Sequence, residues 1–137
     1  MNIDEALQDV QTIKSVAAGL TRKRDDIYVI LTVTYRVGRK WLNGHLSHRL
    51  QDAILEREKV RVDRRARRKV FRFLIEIGFR VDVQRRSRYA NALEYARIRN
   101  CLPAGLTDFI KRNGGIEECA KKYIAHKKEV RFKRTTW

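Results

Sequence analysis

Apolar residues recur at steps of three and four from the start of the chain. Ile3, Ala6, Val10, Ile13, Ala17 and Leu20 form one stripe, which Leu7 and Val16 widen. That period predicts an amphipathic helix over 1–20, ended by Gly19 and the Thr21 to Arg24 cluster. The same spacing is that of a coiled-coil seam, so this face either packs inside the domain or pairs two copies as a homodimer through 3–20. Fewer than three heptads are present, which favours packing inside. Asp4, Glu5 and Asp9 lie in its first turns, where acids complement the helix dipole and can also meet basic surface elsewhere.

Asp25 and Asp26 offer an N-cap ahead of Ile27, Ile30, Leu31, Thr34, Val37 and Trp41, a helical pattern that Asn43-Gly44 would stop. Residues 27–37 are rich in β-branched types and also read as a strand buried on both faces. Arg39, Lys40 and Trp41 extend the helical phase, so helix is favoured. Leu46, Leu50, Ala53 and Ile54 mark a further helix beginning near Ser47. Asp63 caps another, with Ala66, Val70, Phe73, Leu74 and Ile77 inward and Gly78 at its stop. Residues 79–83 form a short strand or a connector, and Ser87 is the N-cap for a helix carrying Tyr89, Ala92, Leu93 and Ala96. Pro103 opens a short helix with Leu106, Phe109 and Ile110, closed by Asn113-Gly114-Gly115. Ile116, Cys119, Ala120, Tyr123 and Ile124 then share one face of a last helix, making 103–128 a helical hairpin. The expected fold is mainly α, one compact domain over 1–130 with five to six short helices, followed by a basic tail over 131–137 that contains Phe132 and Trp137.

Charge changes the picture. The chain has 137 residues, 43% of them hydrophobic, with 32 Lys+Arg against 16 Asp+Glu and a net charge of +16. Such a chain can bury one core, which argues against disorder. The excess is concentrated past the midpoint and is densest between Arg57 and Arg72. Arginine dominates there: Arg57, Arg61, Arg64, Arg65, Arg67, Arg68 and Arg72, with Lys69 among them. A planar guanidinium fork suits phosphate oxygens and base edges better than a lysine point charge, so this choice favours a polyanionic partner. Arg64, Arg65, Arg67 and Arg68 crowd one predicted helix start, and Arg85, Arg86 and Arg88 crowd another. Cations there oppose the dipole by roughly 0.3–1 kcal/mol each, yet free N–H groups and guanidinium forks could converge on one phosphate.

The hairpin over 103–128 resembles a helix-turn-helix only in part. Its second helix opens with Glu117-Glu118, poorly placed against phosphates, although Lys121, Lys122, Lys127 and Lys128 could reach a nucleic-acid backbone. His45 and His48, with Cys101 and Cys119, lack the close thiol pairs of a zinc site, so no metal and no cofactor are expected. The two cysteines, 18 apart at apolar helical positions, read as buried free thiols in a reducing compartment. No phosphate loop and no Ser-His-Asp or Cys-His grouping stands out, so no enzyme is expected. Most aromatics fall on apolar stripes, with Tyr95 and Trp137 the exceptions available for stacking on bases. The longest apolar run, from Ile27 to Tyr35, is about half of the ~20 residues a membrane span needs, and no secretory signal is evident. A cytoplasmic or nucleoid location is expected.

The function these features point to is a small regulatory or architectural protein that binds double-stranded DNA. Its site would be Arg57, Arg61, Arg64, Arg65, Arg67, Arg68, Lys69, Arg72, Arg85, Arg86, Arg88, Lys121 and Lys122. About six to eight phosphate contacts would give a slope of roughly −5 to −7 in log K against log salt. The alternatives are an RNA binder and a basic adaptor or inhibitor that docks on an acidic protein or a ribonucleoprotein.

Overall fold

Helices account for most of the residues described in the computed structural model, which covers 1–19 and 26–135, with the Thr135 side chain left out. In chain order they are α1 (Ile3–Gly19), α2 (Asp26–Asn43), α3 (His48–Glu58), α4 (Arg64–Arg67), α5 (Val70–Gly78), α6 (Val83–Ile98), a 3₁₀ turn (Pro103–Gly105), α7 (Leu106–Arg112) and α8 (Ile116–Thr135). They form one helical bundle, with no strand among the described residues. No described helix is long and apolar enough to cross a membrane. Leu20, the Thr21 to Arg24 cluster, the Asp25 cap and Trp137 lie outside the described residues.

The strand alternative for 27–37 is corrected to helix, and the reason for the ambiguity is visible. α2 is a central helix buried on several sides, with Leu31, Val33, Thr34, Tyr35, Val37, Gly38 and Trp41 inside. Val33, Thr34 and Tyr35 are consecutive and all inside, so the buried arc is wide enough to read as a strand, although Val29, Arg36 and Lys40 are exposed. Its β-branched threonines are accommodated because the Thr32 and Thr34 hydroxyls donate to the carbonyls of Tyr28 (2.7 Å) and Ile30 (2.8 Å).

Residues 79–83 are a connector. Phe79 is extended at the end of α5, and the carboxylate of Asp82, not the hydroxyl of Ser87, caps α6 by accepting from the Arg85 N–H at 2.8 Å. The one apolar residue in the first turn of α6, Val83, is 58% exposed and does not join the inward stripe, which begins only further along the helix. The single helix expected over 64–78 is broken at Lys69, whose backbone is extended (φ −117, ψ 110). The Gln51 amide donates to the Arg67 carbonyl at 2.9 Å, which satisfies an acceptor the break releases. Gly78 does end α5, but for close packing: a Cβ there would lie 2.6 Å from Cγ2 of Ile13. The expected tail over 131–137 is helical as far as it is described, because α8 continues to Thr135 with Glu129 and Lys133 paired at 3.5 Å.

Two clusters make the core. α1, α2, α3 and α5 supply one (Ala6, Val10, Ile13, Val33, Val37, Trp41, Ile54, Phe73, Leu74, Ile77). Leu31, Tyr35, Phe71 and Ile75 join residues of α6, α7 and α8 in the other. Ala6, Val10 and Ile13 are fully buried, so the stripe that would form a dimer seam faces the interior of the chain. The acids of α1 meet α2: Lys40 Nζ lies 2.9 Å from Glu5 and 3.0 Å from Asp9, and Trp41 Nε1 donates to Asp9 at 2.8 Å. Cys119 is a buried free thiol in α8. Cys101 is also free but sits after α6 instead of on a helix, where left-handed Asn100 (φ 58) has ended that element.

Tyr35 ties α2 to the loop after α6. Its hydroxyl donates to the Cys101 carbonyl at 2.5 Å, and Arg39 Nη1 donates to the same oxygen at 2.8 Å. Burial pushes its hydroxyl pKa from 10.0 up to about 12. The unfolded chain therefore ionises this group near pH 10 and the folded chain only near pH 12. Stability from Tyr35 is full below pH 10 and is lost as the pH rises from 10 to 12, by up to roughly 2–3 kcal/mol. Tyr35→Phe is expected to cost about 1 kcal/mol at neutral pH, because Arg39 still satisfies the carbonyl, and to flatten that alkaline fall. Urea titrations across pH 8–12 check this; equal slopes for both proteins would reject it.

Candidate nucleic-acid interface

The arginine-rich segment is held by its few apolar members. α3 ends at Lys59, which is left-handed (φ 54), and Val60 and Val62 pack on the first core cluster. Between these two half-buried valines Arg61 is exposed. Asp63 then caps α4 by accepting from the Ala66 N–H at 2.8 Å, and Ala66 is 2% exposed. One buried alanine in a single turn leaves Arg64, Arg65 and Arg68 facing solvent, with Arg57, Arg61 and Lys69 exposed on either side.

Ion pairing divides the expected site residues. Arg67 is held by Asp52 and by Gln51, whose Oε1 accepts from its Nε at 3.2 Å. Arg72 pairs with Glu76 at 2.9 Å and donates to the Ser87 hydroxyl. Arg86 lies 3.8 Å from the same Glu76, a carboxylate with 8% of its side chain exposed. Arg85 lies 3.5 Å from Asp82. These four are partly neutralised by the fold. Among the described residues, no ion pair involves Arg57, Arg61, Arg64, Arg65, Arg68, Lys69 or Arg88.

The Arg72–Glu76–Arg86 group joins the two arginine clusters, since it packs the start of α6 against α5. The expectation that helix N-termini would add free N–H groups is not met at Ala66 or Arg85. Asp63 and Asp82 already occupy those donors, and α4 is a single turn. Attraction for phosphate therefore rests on side-chain charge.

α8 runs parallel to α6. Ser87 and Asn91 share a groove with Ala120 and Ile124, and Tyr95 and Arg99 share another with Ala125 and Glu129. The α7–α8 turn uses Gly114 (φ 96) and Gly115 (φ 103), and Cys119 and Ala120 are buried. The pair is a packed helical hairpin. Lys121 is near Glu117 (4.0 Å) and Glu118 (3.5 Å), while Lys122 donates to the carbonyl and side chain of Asn113 at 3.2 and 3.3 Å.

Lys127, one of the lysines expected to be able to reach a nucleic-acid backbone though not among the thirteen site residues, is brought beside Lys69 across 58 positions of sequence. Burial, Lys69 and Arg131 push its ammonium pKa down, against the attraction of Glu94. Its Nζ also lies 5.0 Å from the Tyr123 ring centroid. Tyr95, expected to be free for stacking, packs on Phe109 with ring centroids 5.7 Å apart. No group of three or more His, Cys, Asp or Glu able to hold a metal occurs among the described residues.

No protein-family model, curated protein or solved structure matches this chain, so its surface chemistry carries the functional argument.

Proposed function

We propose that this protein binds double-stranded DNA through the face built from Arg57, Arg61, Arg64, Arg65, Arg68 and Lys69. The observation that carries the reading is a run of exposed cations without ion-pair partners among the described residues, beside Arg67 and Arg72, which do have them. A surface meant only for solubility gains from interspersed signs, whereas an uncompensated arginine run is suited to displacing counterions from a phosphate backbone. Lys69 and Lys127 together extend that surface toward α8.

Anisotropy of a labelled DNA duplex and a labelled single-stranded RNA, across a salt series, tests it. The duplex is expected to bind more tightly and with a steep salt dependence, and the folded triple variant Arg64→Ala/Arg65→Ala/Arg68→Ala to bind weakly. Tighter RNA binding moves the reading to RNA. Equal binding by both proteins removes it, and a stoichiometric protein complex that survives nuclease would replace it with the adaptor reading.

A further inference from the structure

A cleft of about 480 Å³ opens where the α2–α3 turn faces the end of α4. This is within the range of roughly 300–1,000 Å³ typical of small-ligand sites. One side is basic: Arg67, Arg68, His45 and His48 line it, and no Asp or Glu is among its lining residues. The other side is apolar, with Leu42, Leu46 and Val70 above the buried indole of Trp41.

Arg67 is set in place before any ligand arrives. Gln51, 7% exposed, grips it at both ends, donating to its carbonyl and accepting from its Nε, while Asp52 takes Nη2. Such a clamp leaves Nη1 available at a fixed position. Arg68 and His48 are exposed beside it.

We propose that this cleft binds a nucleoside 5′-monophosphate unit, the phosphate on Arg67, Arg68 and His48 and the base against Leu42, Leu46 and Val70. Asp52 occupies only Nη2 of Arg67 and does not line the cleft, so Arg68 and the two imidazoles face it without a carboxylate among the lining residues and favour an anion, and a fork of N–H donors suits phosphate. An apolar wall beside them selects a ligand with a flat unsolvated part, which inorganic phosphate lacks. The unit is supplied either as a free nucleotide or as the 5′-phosphorylated end of a strand. The inference shares Arg68 with the duplex reading but does not rest on it, since Arg67, His48 and the apolar wall lie outside the duplex face.

Calorimetric titration of the full chain with adenosine 5′-monophosphate, adenosine, inorganic phosphate, and a short single-stranded oligonucleotide with and without a 5′-phosphate tests it. Saturable one-to-one binding of the monophosphate is expected, tighter than adenosine or phosphate alone. Arg68→Ala and His48→Ala, both surface changes, are each expected to weaken it about tenfold, the loss of one charge-assisted contact. Arg61→Ala, outside the cleft, is expected to leave it unchanged.

A 5′-phosphorylated strand that binds tighter than the free nucleotide assigns the cleft to strand ends; the reverse order assigns it to free nucleotide. Absence of saturable binding, equal binding by phosphate or adenosine, or equal weakening by Arg61→Ala overturns the proposal. Duplex binding weakened in Arg61→Ala with monophosphate binding intact separates the two activities.

Discussion

Raising monovalent salt from about 50 to about 200 mM is expected to weaken duplex binding by roughly three orders of magnitude. Arg57, Arg61, Arg64, Arg65, Arg68 and Lys69 are exposed, and no ion pair among the described residues involves them. If five or six of them neutralise phosphates, each contributes about −0.9 to the slope of log K against log salt, for a total near −5. Removing Arg64, Arg65 and Arg68 together is expected to make the slope shallower by roughly 3 and to weaken binding most at low salt. Arg67→Ala should behave differently. Its guanidinium already faces Asp52 and Gln51, so its loss frees buried Gln51 and lowers stability more than it changes the slope. Anisotropy across the salt series, with circular dichroism to establish folding, checks both statements. A slope that Arg67→Ala changes as much as Arg64→Ala would show that the fold's ion pairs do not sort these arginines.

Gly38→Ala is expected to destabilise the bundle by about 2 kcal/mol, although alanine is the better helix former by up to about 1 kcal/mol. Gly38 lies inside α2, where an added Cβ would stand 2.3 Å from Cε1 and 2.5 Å from Cδ1 of Phe71. That ring is fully buried and stacked on Tyr35, with centroids 5.6 Å apart and planes 22° from parallel, so it has no open space to enter. Phe71→Leu removes the obstructing ring edge at the cost of lost packing. The double variant Gly38→Ala/Phe71→Leu is therefore expected to cost less than the sum of the two single changes, by about 1 kcal/mol. Urea midpoints for the four proteins measure this coupling. Strict additivity would mean that the ring moves aside without strain.

Helices with one apolar face are legible in the amino-acid pattern. α1, α3 and the α7–α8 hairpin follow steps of three and four, and Ser47 and Asp63 cap where their residue type predicts. Legibility fails where local chemistry and packing disagree. The start of α6 is exposed and apolar in the wrong place, so the pattern points to Ser87 where Asp82 is the cap, and the kink at Lys69 interrupts a stripe that reads as continuous. The surface is legible as a concentration of arginine but not as a set of usable arginines. Whether a given guanidinium is free depends on which carboxylate the fold brings to it.

By itself, then, the sequence determined the helical class, the presence of a buried core and a strong positive excess past the midpoint. Period, residue type and net charge are properties of neighbouring positions. Tertiary structure alone decided that the α1 stripe faces inward, that Asp52 pairs with Arg67 and Glu76 meets Arg86 while Arg64 and Arg68 are in no ion pair among the described residues, and that Lys127 stands beside Lys69. It also decided that His45, His48, Arg67 and Arg68 share one cleft. Those relations join residues from about 10 to more than 50 positions apart, and they arise only when helices pack, because burial and ion pairing between helices are set by what lies across the interface.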